Sequence, residues 1–196
     1  MLPTDVFFTD VEKVIAEFTD SDRPRLRRLI AELGRIAGEV PRVADRCCAY
    51  QARLYAKLQE YEQALAAVEQ ALQLMPLDER LIILRGDIHR EAQEFSEALQ
   101  DYSQAIAARP DSVTARMRRA EMLQARGEFE EALRDLHEAL KLEPRSLRLL
   151  YRRGLLLIDL RRMADALSDF KTVARLSPDG DLKRKAQERL RELGER

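Results

Sequence analysis

The sequence contains no tryptophan and no asparagine, and only two of its 196 residues are cysteines. Cys47 and Cys48 are neighbours, so they cannot easily bridge to each other. Two thiols without a nearby histidine are also too few for a zinc site. We therefore expect a reduced, cytoplasmic protein. No apolar run approaches the roughly 20 residues that a membrane span needs, and the acidic start lacks the basic-then-apolar order of a secretory signal.

Positive and negative residues nearly balance, although charged residues make up 35% of the chain. The formal net charge is −1, which gives the protein as a whole no electrostatic bias toward nucleic acid or membrane. Aromatic residues are only 6% of the sequence. This composition is typical of helices with extensive solvated surface.

Residues that carry catalysis are also scarce. The two histidines, His89 and His137, share no spacing with each other or with the cysteines, and the seven glycines are scattered and form no phosphate-binding loop. The sequence therefore predicts no catalytic residues, no cofactor, no metal site and no enzyme activity.

What the sequence does contain is a period of 34 residues. Small residues recur in phase, and so does the proline that ends each unit, because proline cannot continue a helix. The recurring prolines are Pro76, Pro110, Pro144 and Pro178, and the recurring alanines include Ala64, Ala98, Ala132 and Ala166. Twelve residues before each of these alanines stand Ala52, Gly86, Ala120 and Gly154, and four residues after them stand Val68, Tyr102, Leu136 and Phe170.

This pattern closely resembles the tetratricopeptide repeat, a helix–turn–helix family. The resemblance implies an all-α, right-handed solenoid of about eleven helices that ends in a C-terminal capping helix. We predict four repeats, numbered 1 to 4, at residues 45–78, 79–112, 113–146 and 147–180. Position 1 of repeat 1 is Asp45, and each repeat has a helix A followed by a helix B.

The small residues at positions 8 and 20 would let helices A and B approach closely. We expect the bulky residue at position 24 to fill the space between neighbouring repeats. Repeats 2 to 4 also carry arginine at position 7 and aspartate at position 23, and we predict ion pairs between these helices. The residues concerned are Arg85, Arg119 and Arg153 with Asp101, Asp135 and Asp169.

The two ends of the chain lie outside the repeat register. Residues 1–44 are predicted to form a helical pair, either a degenerate repeat or a docking segment that uses Phe7 and Phe8. Thr9 and Glu12 suggest a capping box for the first helix, and Asp22 with Pro24 marks the start of the second. Residues 181–196 are predicted to form the capping helix.

The resemblance also implies a function, namely a non-enzymatic scaffold or adaptor that binds an extended or helical peptide in the concave groove. Helix A lines that groove in the family, and its cationic side chains outnumber its anionic ones here, which favours an acidic or carboxylate-bearing partner. The groove residues carried over are Arg46, Tyr50, Arg53, Arg80, Ile83, Leu84, Asp87, Met117, Arg118, Glu121, Arg148, Tyr151, Arg152 and Leu155.

Three of these arginines suggest an anion site. Arg118, Arg148 and Arg152 should lie close together and repel one another unless an anion joins them, and the alternative is that Asp159 or Glu121 neutralises them. In the first case Arg152→Glu should abolish partner capture with little effect on the melting temperature. Chaperone-docking family members use a clamp with two asparagines, which a chain without asparagine lacks.

Other functions are also open. The alternative prediction is a chain that self-assembles, or that acts as a secretion-type chaperone, through its N-terminal helices or convex face. We expect neither nucleic acid nor membrane insertion to be part of its function.

Overall fold

The computed structural model describes residues 3–194, and within that range it forms eleven α-helices and no strand. The predicted all-α helical repeat fold is therefore confirmed. The helices are α1 (Pro3–Ala16), α2 (Arg23–Glu39), α3 (Ala44–Lys57), α4 (Tyr61–Leu74), α5 (Glu79–Glu91), α6 (Phe95–Ala108), α7 (Val113–Ala125), α8 (Phe129–Leu142), α9 (Leu147–Asp159), α10 (Met163–Leu176) and α11 (Gly180–Glu192).

These helices fall into two compact bodies. The N-terminal body extends to Ala108 and contains α1 to α6, and the C-terminal body begins at Arg109 and contains α7 to α11. In each body consecutive helices pack against each other in pairs, α3 with α4, α5 with α6, α7 with α8 and α9 with α10.

The recurring proline lies two residues beyond the last helical residue of each helix B. At Met75 the backbone has already left the helical region, with φ −133° and ψ 73°, as a residue before proline requires. Helices α5 and α7 then begin behind a side-chain cap, whereas Ser146 before α9 makes no side-chain cap hydrogen bond. Asp78 Oδ1 accepts the backbone N–H of Arg80 at 2.8 Å, and Ser112 Oγ accepts that of Ala115 at 3.1 Å. These two caps fix where α5 and α7 start.

In repeats 2 and 4 the bulky residue at position 24 lies over position 8 of its own repeat, and Val68 of repeat 1 shares a core with Leu81 and Ile88 of repeat 2. A Cβ atom added at Gly86 would be 2.7 Å from Tyr102 Cε1, and one added at Gly154 would be 2.8 Å from Phe170 Cε1. Repeats 1 and 3 have alanine at position 8 and a smaller residue, valine or leucine, at position 24. The two positions thus share one volume between helices A and B.

The turn between helix A and helix B requires a left-handed backbone at position 15 in every repeat. The residues there are Gln59 (φ 62°), Gln93 (φ 66°), Gly127 (φ 80°) and Arg161 (φ 59°). Only repeat 3 uses glycine, so the other three repeats accept the steric penalty that a side chain has in this region.

The predicted arginine–aspartate pairs are present in all three repeats and join helix A to helix B of the same repeat. The shortest N–O distances are 2.6 Å for Arg85–Asp101, 2.7 Å for Arg119–Asp135 and 2.8 Å for Arg153–Asp169. The three aspartates are buried. The hydrogen bonds that the arginines donate to these carboxylates raise the pKa of each arginine. These charge-assisted hydrogen bonds join the two helices of each repeat.

The N-terminal helices differ in one respect from the prediction. Thr9 lies inside α1 rather than before it, so the proposed capping box does not form, whereas α2 does begin behind Asp22 with proline in its first turn. Phe8 and Val11 of α1 are buried in one core with residues of α2 and α3.

At the C-terminal end, Ala186 of α11 is fully buried. Residues 1, 2, 195 and 196 of the two predicted end segments lie outside the described range.

Candidate functional site

The N-terminal body has a pocket of about 550 Å³ between α3 and α5. All seven groove residues predicted for repeats 1 and 2 line it, because helix periodicity brings positions 2, 5, 6 and 9 to one face. The pocket is lined by Asp45, Arg46, Ala49, Tyr50, Arg53, Asp78, Arg80, Leu81, Ile83, Leu84 and Asp87.

The apolar part of this lining comes from both helices. Ile83 is buried, and Ala49, Tyr50 and Leu84 are half-buried, so their apolar atoms face the pocket without being sealed from it. Such a surface can accept an apolar side chain of another molecule.

Two of the three acidic residues of the lining have structural partners. Asp78 caps α5, and Asp87 accepts a hydrogen bond from the Tyr102 hydroxyl at 2.8 Å. Arg80 is exposed, and among residues 3–194 its side chain has no ion-pair partner. The arginines are therefore the charged groups of the pocket that are best placed to meet a ligand.

Helix α1 contacts the same residues from one side of the pocket. The Phe8 ring stacks on Tyr50 with centroids 5.2 Å apart, and the Arg46 guanidinium carbon lies 4.2 Å from the centre of the Phe8 ring. Glu12 Oε1 accepts hydrogen bonds from Tyr50 Oη at 2.8 Å and Arg53 Nη1 at 3.2 Å. The Tyr50 hydrogen bond, aided by Arg53, holds the pKa of Glu12 below its usual value, although partial burial opposes this.

Sequence reasoning missed the role of Glu12, which we had assigned to a cap. The available signal was the spacing of four residues between Phe8 and Glu12, which places them on one face of a helix. Phe8 had been recognised only as a residue for docking on another chain, and in the structure it packs within its own chain.

In the C-terminal body the predicted cluster of uncompensated arginines is not observed. Glu121 lies 2.9 Å from Arg152 and 3.5 Å from Arg118, so one carboxylate joins both guanidinium groups. Asp159 instead accepts a hydrogen bond from Gln124 at 2.6 Å. The structure therefore shows the alternative in which Glu121 pairs with Arg118 and Arg152, whereas Arg148 has no ion pair within residues 3–194.

The remaining predicted groove residues of this body have mixed environments. Met117 is buried, Leu155 is half-buried and Arg148 is exposed. Tyr151 packs edge-on against Phe170 with ring centroids 5.6 Å apart, and its hydroxyl interacts with Arg189 of α11. Arg189 thereby connects the last helix to helix A of repeat 4.

The cysteines and histidines occupy packing or surface positions. Cys47 and Cys48 are both buried free thiols, and burial raises the pKa of Cys47 to about 11. His89 Nδ1 is 2.6 Å from Glu94 Oε2, and burial lowers the pKa of His137. Within residues 3–194 no cluster of three metal-ligating side chains occurs, and no helix is long and apolar enough to cross a membrane.

The repeat register and the paired helices agree with a family model. The model of the tetratricopeptide repeat matches residues 51–113, 83–133 and 118–181. The chain belongs to the tetratricopeptide repeat family. No curated protein is significantly similar to it in sequence.

Solved tetratricopeptide repeat structures share the fold at low sequence identity. MamA (residues 41 to the end) from Desulfovibrio magneticus RS-1 is 16% identical with a TM-score of 0.65, and covers 88% of this chain and 93% of its own. YrrB, described as a tetratricopeptide repeat protein with an unusual peptide-binding site, is 18% identical with a TM-score of 0.63, covering 93% and 90%. The first such domain of Spaghetti (RPAP3), bound to the HSP90 peptide SRMEEVD, is 22% identical with a TM-score of 0.54, covering 59% and 89%.

Proposed function

We propose that this protein is a non-enzymatic interaction scaffold whose N-terminal body binds an acidic peptide segment of another protein in the pocket between α3 and α5. The observation that carries the proposal is the combination of an apolar floor with the arginines Arg46, Arg53 and Arg80 at one pocket. The peptide binding named for YrrB and for the Spaghetti domain supports a protein partner. The pocket is large enough for an apolar side chain with an adjoining carboxylate.

The charge that we propose for the partner rests on which charged side chains of the lining the fold already holds, since the three arginines are matched in number by Asp45, Asp78 and Asp87. Asp78 and Asp87 are held by the fold, while Arg80 has no ion-pair partner among the described residues. A ligand carboxylate at Arg80 would form a charge-assisted hydrogen bond worth about 1.5–3 kcal/mol where water is excluded. An apolar side chain on the same ligand would cover Ile83 and Leu84.

The proposal can be tested with a synthetic acetylated peptide that has several glutamates followed by a C-terminal Leu-Phe. Nuclear magnetic resonance titration should shift the methyl signals of Ala49, Ile83 and Leu84. Arg80→Glu should weaken binding by about tenfold or more, the equivalent of one such hydrogen bond. The matched control is Arg28→Glu, which makes the same charge change at an exposed site of α2 away from the pocket.

Two results would count against this function. The first is that the peptide fails to shift the methyl signals of the pocket. The second is that the Arg28→Glu and Arg80→Glu variants lose affinity equally. The second result would indicate a general charge effect that is not specific to the pocket. A peptide with glutamine in place of glutamate and an amidated C-terminus should bind weakly, since it lacks all carboxylates.

Self-association is a second candidate function, favoured by the turn between α4 and α5. Met75 and Leu77 are 47% and 76% exposed, whereas the same positions of the other repeats hold polar or charged residues. Light scattering across a concentration series should then show a mass above that of the 22.6 kDa chain, and Leu77→Asp should abolish the increase. A constant monomer mass would exclude this function.

A further inference from the structure

Helix α1 presents to α3 the same two chemical groups that we propose for the partner. Phe8 supplies an aromatic ring against Tyr50, and one turn later Glu12 supplies a carboxylate to Tyr50 and Arg53. Tyr50 and Arg53 also line the pocket. Two of the groups that could recognise an acidic ligand are therefore already engaged by the chain itself.

The two contacts differ in how firmly they are held. Phe8 and the neighbouring Val11 are 2% and 0% exposed, so they anchor α1 in the core. The Glu12 side chain is 56% exposed and that of Arg53 is 38% exposed. Exposed ion pairs are weak and open readily, so the carboxylate can leave Arg53 while α1 stays in place.

We propose that Glu12 competes with the partner's carboxylate for Arg53 and the Tyr50 hydroxyl, so that α1 sets the affinity of the pocket. This inference depends on the proposed function, since it concerns the regulation of the same site. The competition does not require α1 to leave its position. Only the exposed side chain of Glu12 has to rotate. The acidic ligand then takes over the two hydrogen bonds that Glu12 gives up.

The test compares Glu12→Gln with wild-type protein, using the acidic Leu-Phe peptide as the probe. Removal of the competing charge should tighten peptide binding by about two- to fivefold, the range expected for an exposed ion pair. Asp10→Asn is the matched control, because it changes the net charge equally on an exposed residue of the same helix. The melting temperature of Glu12→Gln should stay close to that of the wild type, because Phe8 and Val11 are unchanged.

A second measurement follows the carboxyl carbon of Glu12 directly. Peptide addition should move its resonance toward that of a solvated glutamate, while the Asp10 carboxyl resonance stays in place. Equal peptide affinity of wild type and Glu12→Gln, with an unmoved Glu12 resonance, would overturn the competition and leave the proposed function intact. Weaker binding by Glu12→Gln would also overturn it, because Glu12 would then assist the ligand. Failure of the peptide to bind either protein would refute the proposed function itself.

Discussion

Replacement of Gly154 by alanine should destabilise the C-terminal body, although alanine is the better helix former. Gly154 lies in the interior of α9, and a Cβ atom there would be 2.8, 2.9 and 3.2 Å from three carbon atoms of the Phe170 ring. Phe170 is fully buried and is also in contact with Tyr151. The ring therefore has no open space into which it could move away from the new methyl group.

The expected magnitude is the difference between two opposing effects. Overpacking of a buried site usually costs about 1–3 kcal/mol, and the approach to three ring atoms suggests the upper part of that range. Alanine regains about 1 kcal/mol of helix propensity relative to glycine. The free energy of unfolding of Gly154→Ala should thus fall by about 2 kcal/mol.

Phe170→Leu is the matching change. Combined with Gly154→Ala, it reproduces the pair Ala120 and Leu136 of repeat 3. Phe170→Leu alone leaves a cavity and should cost about 1–2 kcal/mol, less than a change to alanine. In the double variant the methyl group fills part of that cavity and the clash disappears. The two changes should therefore be non-additive by about 2 kcal/mol in the stabilising direction.

Urea unfolding followed by far-ultraviolet circular dichroism measures all four proteins of this cycle. Gly38→Ala is the control for helix propensity, because nothing lies within 4 Å of a Cβ atom added there. It should stabilise the protein by up to about 1 kcal/mol. If Gly154→Ala stabilises the protein as Gly38→Ala does, or if the effects of the two changes in the cycle simply add, the shared volume between positions 8 and 24 is refuted.

The other predictions concern the turns, the C-terminal body and the last helix. Gln93→Gly should raise the free energy of unfolding by up to about 1 kcal/mol, and Gly127→Ala should lower it by a similar amount, because both residues have a positive φ. Arg152→Glu should lower the melting temperature, since the new carboxylate would face Glu121 in place of the observed 2.9 Å ion pair; an unchanged melting temperature would contradict this pairing. Removal of residues 181–196 should expose apolar surface of repeat 4 and cause aggregation in light scattering, whereas an unchanged melting curve and a monomeric mass would show that α11 is no cap.

The repeat register could be predicted because each of its signals has a local physical cause. Proline cannot continue a helix, so Pro76 and Pro110 indicate where α4 and α6 end. The pairing of Arg119 with Asp135 could also be predicted, since the two residues co-occur in three repeats at one fixed spacing. Four copies in phase make each such signal recognisable where one copy would be ambiguous.

The contacts of the predicted groove were harder to predict, because they depend on which acidic residue reaches which arginine. Glu121 joins Arg118 and Arg152 across two helices, and nothing in the sequence gives it preference over Asp159. The contact of Glu12 with Arg53 links residues 41 apart in the chain. It arises from the packing of α1, which lies outside the repeat period and leaves no repeated pattern.

The arginines of the repeat helices A differ in how firmly their acidic partners hold them. Those at position 7, such as Arg119, are bound to buried aspartates and cannot turn toward a ligand without leaving a buried charge, which is strongly unfavourable. Arg152 is likewise compensated by Glu121, so an acidic ligand there would first have to displace a half-buried carboxylate. In the N-terminal body the competing group is the more exposed Glu12, and Arg80 has no competitor among the described residues. An acidic ligand consequently meets the smaller barrier at the pocket between α3 and α5, which is the physical reason for placing the proposed recognition there.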